Sequence, residues 1–147
     1  MQITHLRVKS RLREIEKIRR FLEKSLSGVK LSEQAYYIIE LSLLEMCINI
    51  IRYAYPEGVE GDIFLKTWRE GGRLYFEIRD SGVPFDPNKV GTVDIKESIK
   101  KRKRGGMGIF LTRKLMDGFQ YRREKNQNVL TMYKEIEDKS IDECGSV

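Results

Sequence analysis

The segment from Ser32 to Tyr53 constrains the fold most. Ser32 is a good helix N-cap and Glu33 sits in the first turn, where a carboxylate suits the helix dipole. Between them and Tyr53 the chain is apolar nearly all round, with Tyr36, Ile38, Ile39, Leu41, Leu43, Leu44, Ile48, Ile50 and Ile51. A helix of that kind cannot lie on a surface and is expected between layers. Pro56 and Gly58 end it. Inside it stand two polar residues, Glu45 and Asn49, four apart and therefore one turn apart on one face.

The rest of the chain arranges itself around that helix. Ile3 to Val8 reads as a short strand. Leu12, Ile15, Ile18, Leu22 and Leu26 recur at spacings of three and four, which predicts an amphipathic helix ending near Ser27-Gly28. Asp62 to Trp68 and Leu74 to Ile78 alternate as a hairpin turning at Glu70-Gly71-Gly72. Pro84 and Pro87 forbid further central strand. Residues 86–104 read as a long connection, and Gly108 to Met116 as a helix. Phe119 to Glu124 and Val129 to Ile136 read as a second hairpin, turning at Lys125-Asn126-Gln127-Asn128. The order β-α-α-β-β-loop-α-β-β predicts an α+β fold: a two-layer sandwich of a mixed or antiparallel sheet with helices on one face. One domain over 1–136 and a polar tail over 137–147 are expected.

Composition matters for excluding partners. The 147 residues carry a formal charge of +6, which invites a nucleic-acid reading. Six cations and one anion fall between Lys96 and Arg104, so that stretch alone supplies +5. The remainder is nearly neutral, and the cluster abuts Gly105-Gly106-Met107-Gly108. Cations beside backbone that allows close approach suit a phosphate site; the alternative is a solvated loop. No apolar run reaches the ~18 residues of a spanning helix. MQITHLRVKSR holds no signal-length apolar stretch, so neither a membrane nor secretion is expected. Cys47 and Cys144 form no disulfide framework and no zinc pattern, which suits a cytoplasmic location.

Three constellations can carry chemistry. Glu45 can accept a proton, and the amide oxygen of Asn49 can ligate Mg²⁺ on the same face. The alternative is a core polar pair satisfied by nearby backbone or by Arg52. Asp80-Ser81-Gly82 ends a strand in a carboxylate that can accept from an exocyclic amine, with a glycine that admits a flat ring; the alternative is an ordinary turn. Arg104-Gly105-Gly106-Met107-Gly108 opens a helix whose backbone N–H groups can cradle phosphates. It lacks the Gly-Lys-Ser/Thr of a Walker loop and the feeding strand of a dinucleotide fingerprint, and the alternative is a helix start packed closely through its glycines.

In that order and spacing the three resemble the N-box, G1 box and G2 box of the GHKL (Bergerat-fold) ATP-binding domain, over roughly residues 8 to 136. ELSLLEMCINIIRYAYPEG (40–58), IRDSGVPFDP (78–87) and RGGMGIFLTRKLMD (104–117) are most similar to the stand-alone anti-sigma factor serine kinases of bacteria. Pro84 stands where larger members of the superfamily have a second glycine. The resemblance implies an ATP- and Mg²⁺-dependent protein-serine kinase. Glu45 would be the base toward a substrate serine and Asn49 the metal-holding residue. Asp80, with Gly82 and Thr131, would bind adenine. Gly105, Gly106, Met107 and Gly108 would contact phosphate, Arg104 would face the γ-phosphate, and 86–104 would be an ATP lid. It also implies a sigma factor and a STAS-domain anti-anti-sigma protein as partners, a homodimer, and no direct nucleic-acid contact. A switch kinase that activates a phosphatase, and a module that binds ATP without transfer, are the alternatives within this fold. His5, the sole histidine, precedes the first helix and so lacks the setting of a phosphoacceptor.

Overall fold

The structure is a computed structural model of the chain and describes residues 2–85 and 106–136. The lid expected at 86–104, with Arg104 and Gly105, lies outside the described residues, as does the tail 137–147. Among the described residues five strands and three α-helices follow in the expected order: β1 (Ile3–Lys9), α1 (Ile15–Ser25), α2 (Glu33–Tyr53), β2 (Asp62–Glu70), β3 (Arg73–Asp80), α3 (Gly106–Leu115), β4 (Gly118–Glu124) and β5 (Gln127–Glu135). The strands form one sheet in the order β1-β2-β3-β5-β4, antiparallel at every junction. A sheet with one covered face must alternate buried and wetter residues along each strand. β3 does so: Leu74, Phe76, Ile78 and Asp80 are buried, with half-buried residues between.

The helices cover that face. Ile18 and Leu22 of α1, Ile39, Leu43 and Cys47 of α2, and Ile109 of α3 join Phe76, Ile78 and Met132 of the sheet in one core. By length and hydropathy α2 passes for a membrane span, but its Ile38, Ile39, Leu43, Leu44, Met46 and Cys47 lie in this core. Leu12 departs from the sequence expectation. It lies in a short 3-10 turn, Leu12–Glu14, and is exposed. A turn of three residues per revolution carries it off the buried stripe that begins at Ile15. α2 starts where Ser32 Oγ accepts from Ala35 N–H at 3.0 Å. Ser32→Ala is expected to cost about 1 kcal/mol of stability by urea titration, because it orphans that N–H.

Both hairpins turn through two residues of positive φ. Gly71 and Gly72 both adopt positive φ, as the glycines predict. In the second hairpin Lys125 and Asn126 take the left-handed conformation, at φ 49° and 64°. The turn is therefore two residues rather than four, and Gln127 and Asn128 belong to β5. The register with β3 and β4 fixes which face each β5 side chain meets.

The outer face of the sheet is wet. Trp68 and Tyr75 stack across β2 and β3 at 5.1 Å, and Arg73 lies over Tyr133. Glu77, Arg79, Arg122 and Glu124 form an ion-pair lattice beside them. Such exposed pairs add little stability individually, and the face serves mainly to keep the sheet solvated.

Candidate active site

One cleft of about 470 Å³, open solvent included, lies between α2 and the sheet. α2 contributes Met46, Asn49, Ile50 and Tyr53 to its lining, the sheet contributes Ile78, Asp80, Tyr121, Asn128 and Leu130, and Phe85 and Ile109 complete it. The walls are largely apolar with a few convergent polar groups, the usual build of a small-molecule site. Asp80 and Asn49, far apart in sequence, thus share one cavity. Asp80 reaches it by parity, as the last of the buried row on β3.

Asp80 is buried and braced on one oxygen. Its Oδ1 accepts from Gly82 N–H at 2.9 Å and from Asn128 Nδ2 at 2.9 Å. Among the described residues Oδ2 accepts from none, so it remains available to a ligand. Burial raises the carboxyl above its ordinary range; the two N–H bonds and the charge of Arg123 pull the other way. The next residue is held separately: Ser81 N–H donates to Tyr55 Oη at 2.8 Å, and that hydroxyl donates to Asp62 C=O at 2.6 Å.

Gly82 is required for contact rather than for a turn. A Cβ there would run into the Ala54 carbonyl at the end of α2, the same oxygen that accepts from Val83 N–H at 2.8 Å. Backbone cannot swing aside. Gly108, at the start of α3, meets a different obstacle, since a Cβ there would strike the Glu45 carboxylate. That carboxylate ends a flexible side chain and can give way. We therefore expect Gly82→Ala to destabilise by about 1–3 kcal/mol and Gly108→Ala to be nearly neutral in stability, both read from urea midpoints.

Glu45 is half-buried against Gly108 and has no hydrogen-bond or ion-pair partner among the described residues. Asn49, one turn on, is 6% exposed, and its Nδ2 has no partner among the described residues. Arg52 is exposed. Among the described residues neither the Glu45 carboxylate nor Asn49 Nδ2 has the partner that a satisfied core pair would need. Ser42 and Thr112 also bury unpartnered hydroxyls on α2 and α3. Cys47 lies between the two polar residues, but burial pushes its thiol up to about 12, which leaves it an inert core residue.

The backbone of Gly106, Met107 and Gly108 forms the first turn of the ten-residue α3. By helix geometry those first N–H groups have no partner within the helix, and the positive end of the dipole sits there. Thr131 is misplaced by the sequence reading. Its register partners are Glu77 and Gln120 on the outer face, and it does not line the cleft. Asn128, three residues earlier and so on the opposite face, lines the cleft instead. His5 lies on the edge strand β1 rather than on a helix.

Comparison with known proteins places the chain in a family. The histidine kinase-like ATPase domain matches residues 8–134. The serine-protein kinases RsbW of Bacillus thuringiensis (strain Al Hakam) and Bacillus anthracis are each 32% identical over 112 residues, covering 74% of this chain and 69% of theirs. The RsbU and RsbW domains of Rv1364c from Mycobacterium tuberculosis share the fold, with a TM-score of 0.66 at 13% identity. That match covers 92% of this chain and 32% of the longer one. The chain therefore belongs to the histidine kinase-like (GHKL) ATPase family, in its branch of RsbW-type serine-protein kinases, and is a protein kinase by that membership.

Proposed function

We propose that the chain is a cytoplasmic, homodimeric anti-sigma factor that sequesters a sigma factor and uses ATP to phosphorylate a serine of a STAS-domain anti-anti-sigma protein. One observation carries the catalytic part. A cleft that ends in an available Asp80 oxygen also holds Asn49, whose Nδ2 is buried without a partner among the described residues, one helical turn from the half-buried Glu45 carboxylate. A buried polar atom on a core helix is costly unless a ligand satisfies it. Ile109, next to Gly108 at the start of α3, lines the same cleft, so the helix start lies beside it.

In this reading Asp80 accepts from the adenine amine. The N–H groups of Gly105, Gly106, Met107 and Gly108 hold phosphate oxygens, and Arg104, outside the described residues, faces the γ-phosphate. Mg²⁺ is commonly held by phosphates, waters and one or two protein oxygens. Asn49 would supply such an oxygen, and the ion would neutralise and orient the phosphates. Glu45 takes the serine proton as the serine oxygen bonds to the γ-phosphorus and the bond to the ADP oxygen breaks. The protein's contribution is positioning and charge placement.

The test is transfer of radiolabelled phosphate from ATP to a STAS-domain protein encoded beside this chain, with sigma-factor capture measured separately. Labelled serine that disappears in Asn49→Ala is the expected result. Absence of Mg²⁺-dependent nucleotide binding by the intact chain would overturn the proposal.

A further inference from the structure

The register of the sheet lines up three residues on the cleft face, one on each of three neighbouring strands. Asp80 of β3 stands opposite Asn128 of β5, and Asn128 stands opposite Arg123 of β4. Directly opposed residues share a face and reach each other, and here all three join. Asn128 Nδ2 donates to Asp80 Oδ1 at 2.9 Å and to Val83 C=O at 2.8 Å. Its Oδ1 accepts from Tyr121 Oη at 2.6 Å, Arg123 Nη1 at 3.1 Å and Phe85 N–H at 3.3 Å. Arg123 Nη1 also donates to Gly82 C=O at 2.9 Å.

That pattern admits only one orientation of the amide. Reversed, its oxygen would face the Asp80 carboxylate and the Val83 carbonyl, and its NH₂ would face the Arg123 guanidinium. Both N–H donors are used internally, so little of Asn128 is left to contact a ligand. What it controls is Asp80: one oxygen is pinned, and the other is left as an acceptor.

Resting on the nucleotide reading above, we propose that Asn128, anchored by Arg123 and Tyr121, is a positioning residue that keeps Asp80 a one-sided acceptor and thereby selects a purine with a 6-amino over a 6-oxo group. An acceptor discriminates between those groups because a 6-oxo purine presents a second acceptor, which an ionised carboxylate repels. The selection holds only while Asp80 is ionised. Burial opposes ionisation, and the Asn128 N–H is foremost among the contacts that favour it. The other ionisable groups around Asp80 are Arg123 and Tyr121 of β4, Tyr53 and Tyr55 at the end of α2, and Arg79 beside it on β3.

Two variants of nearly equal size separate this role from simple packing. Asn128→Leu removes the donor, so Asp80 titrates higher and ATP binding weakens as pH falls. Asn128→Asp places a second carboxylate opposite the first. The two can then share a proton at low pH and repel when both ionise, so ATP binding weakens as pH rises. The measurement is competition of ATP and of ITP against a fluorescent N-methylanthraniloyl-ATP with Mg²⁺, between about pH 5 and pH 8. Circular dichroism of each variant confirms folding. Relative to the intact chain, we expect opposite pH slopes in the two variants and about a tenfold loss of ATP-over-ITP preference in Asn128→Leu at the acid end. Folded variants that keep the parent's pH profile and preference, whatever their overall affinity, would overturn the role of Asn128 while leaving nucleotide binding intact. Failure of the unaltered chain to bind the probe would overturn the nucleotide reading itself, and this inference with it.

Discussion

Glu45→Gln is expected to abolish phosphate transfer to the partner serine while leaving Mg·ATP binding nearly unchanged. The substitution preserves shape, so contact with Gly108 and the approach of α3 to α2 survive. It removes only the ability to take a proton. General-base contributions run to about 10²–10⁴ in rate, and a loss of that size in single-turnover transfer is the expected reading. Glu45 has no cation partner among the described residues, so neutralising it strands no opposite charge. The thermal midpoint should therefore stay close to that of the parent. Asn49→Ala should behave differently, because it removes a phosphate-side oxygen rather than a base: Mg²⁺-dependent binding falls along with transfer. Transfer at the parental rate in Glu45→Gln would place the base elsewhere and reduce Glu45 to a packing residue of the helix pair.

The contrast between these two neighbours shows what can be read from one dimension. Glu45 and Asn49 stand out in the sequence because the helix around them is apolar on every side, and a four-residue spacing fixes their shared face whatever the rest does. Asp80 is legible for a similar reason: an alternating strand that buries Leu74, Phe76 and Ile78 must bury its last even position too. The partners of these groups are another matter. That α3 reaches Glu45 through Gly108 depends on how two helices pack, which no local pattern encodes. The larger miss was Asn128. Lys125-Asn126-Gln127-Asn128 has the composition of a four-residue turn, and Asn126 is a common left-handed residue, but the left-handed φ at Lys125 shortens the turn to two. By composition Asn128 reads as a turn residue rather than a strand residue, and Thr131, three residues on, has the opposite parity and faces outward. Faces alternate with period two, so the two could not both meet the cleft. The excess of the +6 charge falls in 96–104, beside the glycines, and lies outside the described residues.

Asp80→Asn is the sharpest test of the base site, because binding and stability should part company. The new side chain can keep its oxygen toward Asn128 Nδ2 and Gly82 N–H, as Asp80 does. Its NH₂ then occupies the position of the available carboxylate oxygen and presents a donor where the purine amine also presents donors. Flipping the amide is worse, because it sets the NH₂ against two internal donors. ATP affinity should fall about 100-fold, and ITP affinity should fall less or rise, since its 6-oxo group accepts from the new donor. Stability should move the other way. Burial raises the Asp80 carboxyl in the folded state above its unfolded value of roughly 3.9, so ionising it works against folding. The parent accordingly loses stability relative to the variant as pH rises from that unfolded value through the raised folded one, and the difference is constant above it. Urea titrations across that window check the sign: the variant should be at least as stable as the parent at neutral pH. A variant that is both unstable and nonbinding would make Asp80 a structural carboxylate. A variant that binds ATP as the parent does would remove it from the site.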